Sequence, residues 1–85
     1  MEQEKIREKI KKIFEDIFPG EPFAWDKKQD QFPQWDSLSH MELAGRAEEE
    51  TGARFEMEEV MGLNSPEDFV AIISKKLEHG QGHHP

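Results

Sequence analysis

Apolar side chains recur at Ile6, Ile10, Ile13, Phe14 and Ile17, with Lys, Arg and Glu between them. This is the spacing of one buried helix face, and it predicts an amphipathic helix over residues of about 2–18 that Pro19-Gly20 brings to an end. A second helix is predicted over about 37–51. Leu38, Met41, Ala44 (or Leu43) and Ala47 are available for its inner face, with Glu42, Glu48, Glu49 and Glu50 mostly outside. Thr51-Gly52 is its stop, glycine being suited to the left-handed turn that closes many helices.

Between these helices, Pro19 to Trp35 contains three prolines and no sustained period. Connections of that length are uncommon in compact domains unless they are functional or disordered. Four of the eight aromatic residues, Phe23, Trp25, Phe32 and Trp35, lie in this one, and burying them would offset much of the cost of ordering it. The expectation is a packed loop crossing a helical bundle.

Beyond Gly52, Phe55 is expected to enter the core, and "EMEEVMGL" (56–63) has room only for a short helix or turn. "SPED" opens a last helix, with Ser65 as N-cap, Pro66 in the first helical position, and Glu67 and Asp68 at the positive end of the dipole. Phe69, Ile72, Ile73 and Leu77 supply its buried side, flanked by Val70. No stretch alternates long enough to be a strand and no internal repeat interrupts the plan. The chain reads as all-α, a single domain over 1–78 followed by a flexible tail over 79–85.

Composition narrows what such a bundle can do. At 85 residues, 34% hydrophobic and 35% charged, the core must be small and drawn from most of the elements. There is no cysteine, which excludes a disulfide framework, a thiolate metal site and a cysteine nucleophile. A function that needs a thiol must import one. No apolar run approaches a membrane span or a signal-peptide core, so a soluble, cytoplasmic protein without membrane contact is expected.

The net charge of −8 is unevenly spread. Residues 1–18 hold five acids and five bases, whereas residues 36–68 hold ten acids and only Arg46 and Arg54. Such a field repels nucleic-acid phosphates and favours partners with a basic patch, chiefly through the speed and orientation of encounter. Solvated helix faces are the ordinary explanation for charge runs, and the segregation along the chain argues against it only moderately.

Ser37 is the main candidate for chemistry. As a structural residue it would cap the second helix, a role Asp36 could equally fill. As an attachment point it would place a phosphodiester near free backbone N–H groups and the positive end of a helix dipole. His40 lies one turn on, but two residues on one helix do not make a catalytic triad, and no strand-turn-helix elbow is present. It is expected to be a surface residue near the site. His79, His83 and His84 lack acidic or thiolate companions at fixed spacing, so no folded metal site is expected there. Trp25 and Trp35 read as anchors rather than as a base-stacking platform. Met41, Met57 and Met61 read as core filler or as adaptable partner contacts.

The segment "DSLSHMELAGRAEEETGARF" (36–55) resembles the Asp-Ser-Leu site and following helix of acyl carrier proteins. "IREKIKKIFEDIF" and "LNSPEDFVAII" fall where that family has its first and last helices. The resemblance covers about residues 4–78. It implies a non-catalytic four-helix carrier with a long loop between helices 1 and 2 and a short third helix. In that family the serine matching Ser37 receives 4′-phosphopantetheine from coenzyme A through a magnesium-dependent phosphopantetheinyl transferase, and acyl groups ride on the arm's thiol as thioesters.

Residue by residue, the resemblance makes Ser37 the anchor and Asp36 an aid to positioning metal and serine in the transferase complex. Leu38 becomes an apolar contact beside the arm. Glu42, Glu48 and Glu49 match the helix that docks on basic patches of acyl-loading ligases or transferases and of synthases. Met61 becomes a partner contact or a lid over the acyl chain. Departures from the family pattern are Gln34-Trp35 ahead of the site, Ala47 and Thr51 where large apolar residues are common, and Gly45-Arg46 on the docking helix. The volume left at Ala47 and Thr51 is expected to be filled by the loop aromatics. These features point to a stand-alone carrier of a dedicated fatty-acid/polyketide-type or secondary-metabolite pathway, with a monomer as the default expectation. The alternatives are a peptidyl or aminoacyl carrier, an unmodified interaction module using the acidic helix, and a small hydrolase built on Ser37 and His40.

Overall fold

The computed structural model describes residues 2–78. Among them the chain forms four α-helices and no strand: α1 (Gln3–Ile17), α2 (Ser37–Thr51), α3 (Met57–Met61) and α4 (Pro66–Glu78). A 3₁₀ turn at Gln29–Gln31 interrupts the α1–α2 loop. This is the four-helix, acyl-carrier-like bundle with a long first loop and a short third helix. The tail expected over 79–85, with His79, His83 and His84, lies outside the described residues.

The α1 helix lies against both α2 and α4, burying Ile6, Ile10, Ile13 and Phe14. Phe14 is the hub. Its ring centroid sits between 5.4 and 5.9 Å from those of Phe18, Phe23, Phe32, Trp35 and Phe69, four of the five pairs edge to face, the geometry aromatic quadrupoles favour. Phe32 and Trp35 are buried, while Phe23 and Trp25 are half-buried against the same cluster. The loop is therefore packed, and Phe32 and Trp35 share one core cluster with the small Ala47.

Polar contacts fasten this loop to the start of α4. Gln29 N–H donates to Asn64 O at 2.9 Å, and Glu67 N–H donates to Trp25 O at 3.0 Å. Arg7 grips both carboxylate oxygens of Glu67 at 2.9 Å while its guanidinium covers the Trp25 ring at 4.8 Å.

Three packing expectations need correction. On α2 the inner face is His40, Leu43, Ala44, Ala47 and Thr51. Leu38 is 82% exposed and Met41 46%, because once Leu43 faces inward these two point about 140° and 160° away around the helix. On α4, Val70 is fully buried with Phe69 and Ile73, while Ile72 and Leu77 are only partly covered, so the buried face is shifted toward Val70. Phe55 packs against the core from its edge rather than inside it. The ends of the helices follow expectation. Gly52 closes α2 at φ 81°, and Ser65 Oγ accepts Asp68 N–H at 3.3 Å at the start of α4.

Candidate functional site

At the start of α2 the cap is Asp36, not Ser37. Asp36 has extended backbone, and its Oδ1 accepts the Ser39 N–H at 2.9 Å, while Ser39 Oγ accepts the Asp36 N–H at 2.9 Å. This reciprocal box satisfies the helix end. The Ser39 hydroxyl proton has Asp36 Oδ1, Gln34 O and Asp36 O within reach at 2.9, 3.1 and 3.2 Å. The Ser39 N–H, and then its hydroxyl, hold the Asp36 carboxyl below its ordinary ionisation range. Asp36 therefore presents a fixed negative charge next to Ser37. Ser37 itself is the first helical residue, is exposed, and is released from capping duty.

His40 is buried rather than on the surface, at 8% exposure. Trp35 Nε1–H donates to its Nδ1 at 2.9 Å, and its Nε2 lies 2.7 Å from Val60 O. Indole can only donate and a carbonyl can only accept, so these partners assign the neutral form with the proton on Nε2. The two rings are also stacked, 5.8 Å apart at 25°. One side chain thus joins the loop, α2 and α3. Leaving either nitrogen buried and unpaired would cost about 1–3 kcal/mol. No lone pair remains on the imidazole to take a proton from Ser37, so a Ser37–His40 hydrolase has no base in this arrangement.

The structure brings Ser37, Met61, His40, Met41 and Gln29 together around one cleft of ≈ 240 Å³ between α2, α3 and the loop. A larger cleft of ≈ 520 Å³ lies along the loop at Lys28, Gln29, Asp30, Phe32, Pro33, Trp35 and Asn64, sharing Gln29 with the first. Met61 is 71% exposed and Met57 62%. Met41 and Met61, with the neighbouring Leu38, give the exposed serine an apolar fringe, and none of the three methionines fills the core.

Gln29, Met41 and His40 as cleft walls escaped sequence reasoning. A signal for His40 existed in Trp35, since a buried indole N–H needs an acceptor.

The acids of α2 do not share one environment. Glu42 and Glu49 are exposed. Glu48 is half-buried and turned back on its own chain, its Oε2 accepting the Phe55 N–H at 2.8 Å. Glu50 approaches Lys9 at 3.7 Å, and Arg46 is drawn to Asp16 of α1 at 3.2 Å. On α3, the Lys76 hydrogen bond and then the Glu56 N–H hold Glu59 below its ordinary range, while Glu56 and Glu58 stay exposed.

An exposed serine at the positive end of a 15-residue helix, beside an ionised carboxylate and an open cleft, is the setting in which residues 35–73 match the family model of the phosphopantetheine attachment site. Those residues are similar to the phosphopantetheine-attachment family. The site that this family model describes is one of covalent 4′-phosphopantetheine attachment. The residues present suit it, because a phosphodiester on an exposed hydroxyl there sits at the positive end of the α2 dipole. No curated protein matches the carrier, and no solved structure does. Among the described residues no helix is long and apolar enough to cross a membrane.

Proposed function

We propose that Ser37 carries the phosphopantetheine arm and that the protein holds acyl intermediates on it for a dedicated fatty-acid/polyketide-type or secondary-metabolite pathway. The observation that carries the assignment is the division of labour at the start of α2. Asp36 and Ser39 complete the cap between them, leaving the Ser37 hydroxyl exposed at the helix end. When bound, the arm supplies the thiol this chain lacks and so allows thioesters to form. The carrier's own residues present and steer. Asp36, kept ionised by Ser39, offers a negative charge for the transferase's magnesium. Leu38 and Met61 offer apolar contacts on either side of Ser37.

Docking would use the exposed Glu42 and Glu49, with Glu48 contributing less because its carboxylate is engaged by Phe55 N–H. Partners in this reading are a phosphopantetheinyl transferase, an acyl-loading ligase or transferase, and downstream synthases with basic patches. Rim charges of this kind give fast, weak and salt-sensitive association, which suits a carrier that visits several enzymes.

Co-expression with a broad-specificity phosphopantetheinyl transferase, followed by intact-mass measurement, tests the assignment. The expected result is a gain of one phosphopantetheine group that disappears in Ser37→Ala. No gain, or an undiminished gain in Ser37→Ala, would overturn it.

A further inference from the structure

We propose that the acyl group rides outside the helical core, shut out by the Trp35–His40–Val60 bridge, and that the cargo is accordingly a short or polar acyl group. The inference rests on Ser37 as the attachment residue. An apolar chain on the arm is driven to leave water in proportion to its length. Beside Ser37 the space open to it is the cleft lined by Gln29, Ser37, His40, Met41 and Met61 and, past the shared Gln29, the loop cleft, where Lys28, Gln29, Asp30 and Asn64 make most of the lining residues polar.

The wall of that cleft toward the interior is an imidazole bonded on both sides, to Trp35 Nε1–H and to Val60 O. Passing it means breaking two buried hydrogen bonds without replacing them, since an alkyl chain offers neither donor nor acceptor. Behind it stands Trp35, wedged against Phe14, Phe18, Phe32 and Phe69 at centroid distances of 5.4, 5.9, 5.5 and 6.3 Å. A core packed this way has no space to give without displacing rings.

The cleft itself takes only a small group. It spans ≈ 240 Å³, and its lining is more apolar than polar, with Gln29, Ser37 and His40 adding polar groups to the surface of Met41 and Met61. Met41 and Met61 supply adaptable thioethers at its rim. A short or polar acyl group can rest there with its polar atoms still in water, whereas a long alkyl chain would stay largely exposed.

The test is a chain-length series. A broad-specificity transferase loads butyryl-, octanoyl- and dodecanoyl-phosphopantetheine from the corresponding coenzyme A thioesters, and intact mass verifies each product. Melting temperature and the Trp35 indole N–H resonance are then recorded. A buried cargo stabilises the folded state, each sheltered methylene raising the melting temperature by several degrees.

The expected result is a melting temperature that does not climb from butyryl to dodecanoyl and a Trp35 resonance that stays in place. In His40→Ala, where the wall is removed, the melting temperature should climb with length. If that variant does not fold, the wild-type series decides alone. A wild-type melting temperature that climbs with chain length, with the Trp35 resonance displaced, overturns the proposal while leaving Ser37 as the anchor. Failure of all three thioesters to add mass overturns the anchor and this inference with it.

Discussion

Trp35→Phe isolates the bridge at the heart of the site. The substitution keeps a six-membered ring among Phe14, Phe32 and Phe69 but removes the N–H that His40 Nδ1 accepts at 2.9 Å. With Trp35 5% and His40 8% exposed, water does not readily take its place. The orphaned nitrogen costs about 1–3 kcal/mol, and the volume of the lost pyrrole ring adds about 1 kcal/mol. A total of about 2–4 kcal/mol is large against the 5–15 kcal/mol typical of a domain. At about 4–8 °C per kcal/mol for a chain of this size, the melting temperature should fall by at least about 8 °C.

Urea and thermal unfolding followed by circular dichroism at neutral pH measures this directly. His40→Leu and the double variant complete a cycle in which the lost bond to Val60 O is common to the two variants that carry His40→Leu and cancels. The double variant should be milder than the sum of the singles by about 1 kcal/mol or more, because removing both partners leaves no orphan. A Trp35→Phe protein within about 0.5 kcal/mol of wild type, or strictly additive singles, would refute the bridge.

Phe14→Ala removes the ring against which five others pack. It should cost about 3–5 kcal/mol and leave a substantially unfolded chain at 37 °C by circular dichroism; a melting curve like wild type would contradict the hub. The Asp36 cap predicts an acid dependence of definite sign. Its folded ionisation lies below the ordinary value of 3.8, so its contribution to stability is fully present above that value and is lost as pH falls through the depressed folded one. In Ser39→Ala the backbone N–H remains and the hydroxyl is lost, so the Asp36 midpoint followed by carboxyl carbon NMR should move up toward the ordinary range. A midpoint that does not move counts against the hydroxyl's part in holding the charge.

Helix order and boundaries were legible because their signals are local. Periodic isoleucines mark α1, Gly52 marks the end of α2 and Ser65-Pro66 the start of α4. The packed loop was legible from its aromatic content. What local pattern could not settle was which apolar residues of α2 face inward, because Leu38, Met41, Leu43 and Ala44 offer two competing stripes. The choice falls to packing, since Leu43 and Ala47 pack into the core cluster with Phe14 and Leu38 is left outside.

The cap was ambiguous for a related reason. Asp36 and Ser37 are both good capping types, and the deciding partner was Ser39, three residues beyond Asp36. His40 was beyond local reasoning altogether, since its second partner, Val60 O, is twenty residues away. The family match agrees with what the Asp-Ser-Leu segment implied, while the cleft beside Ser37 came from three separate parts of the chain.

The three methionines among the described residues, Met41, Met57 and Met61, all stand at the surface, two of them beside Ser37, and the buried hydrophobic core is built from isoleucine, phenylalanine, leucine, valine, alanine and tryptophan. Oxidants therefore meet the thioethers before they meet anything that holds the fold together. Sulfoxide formation would make the fringe polar and chiral while leaving the helical bundle intact. An aged preparation could thus melt and scatter like a fresh one and yet present a different face to every enzyme it is given.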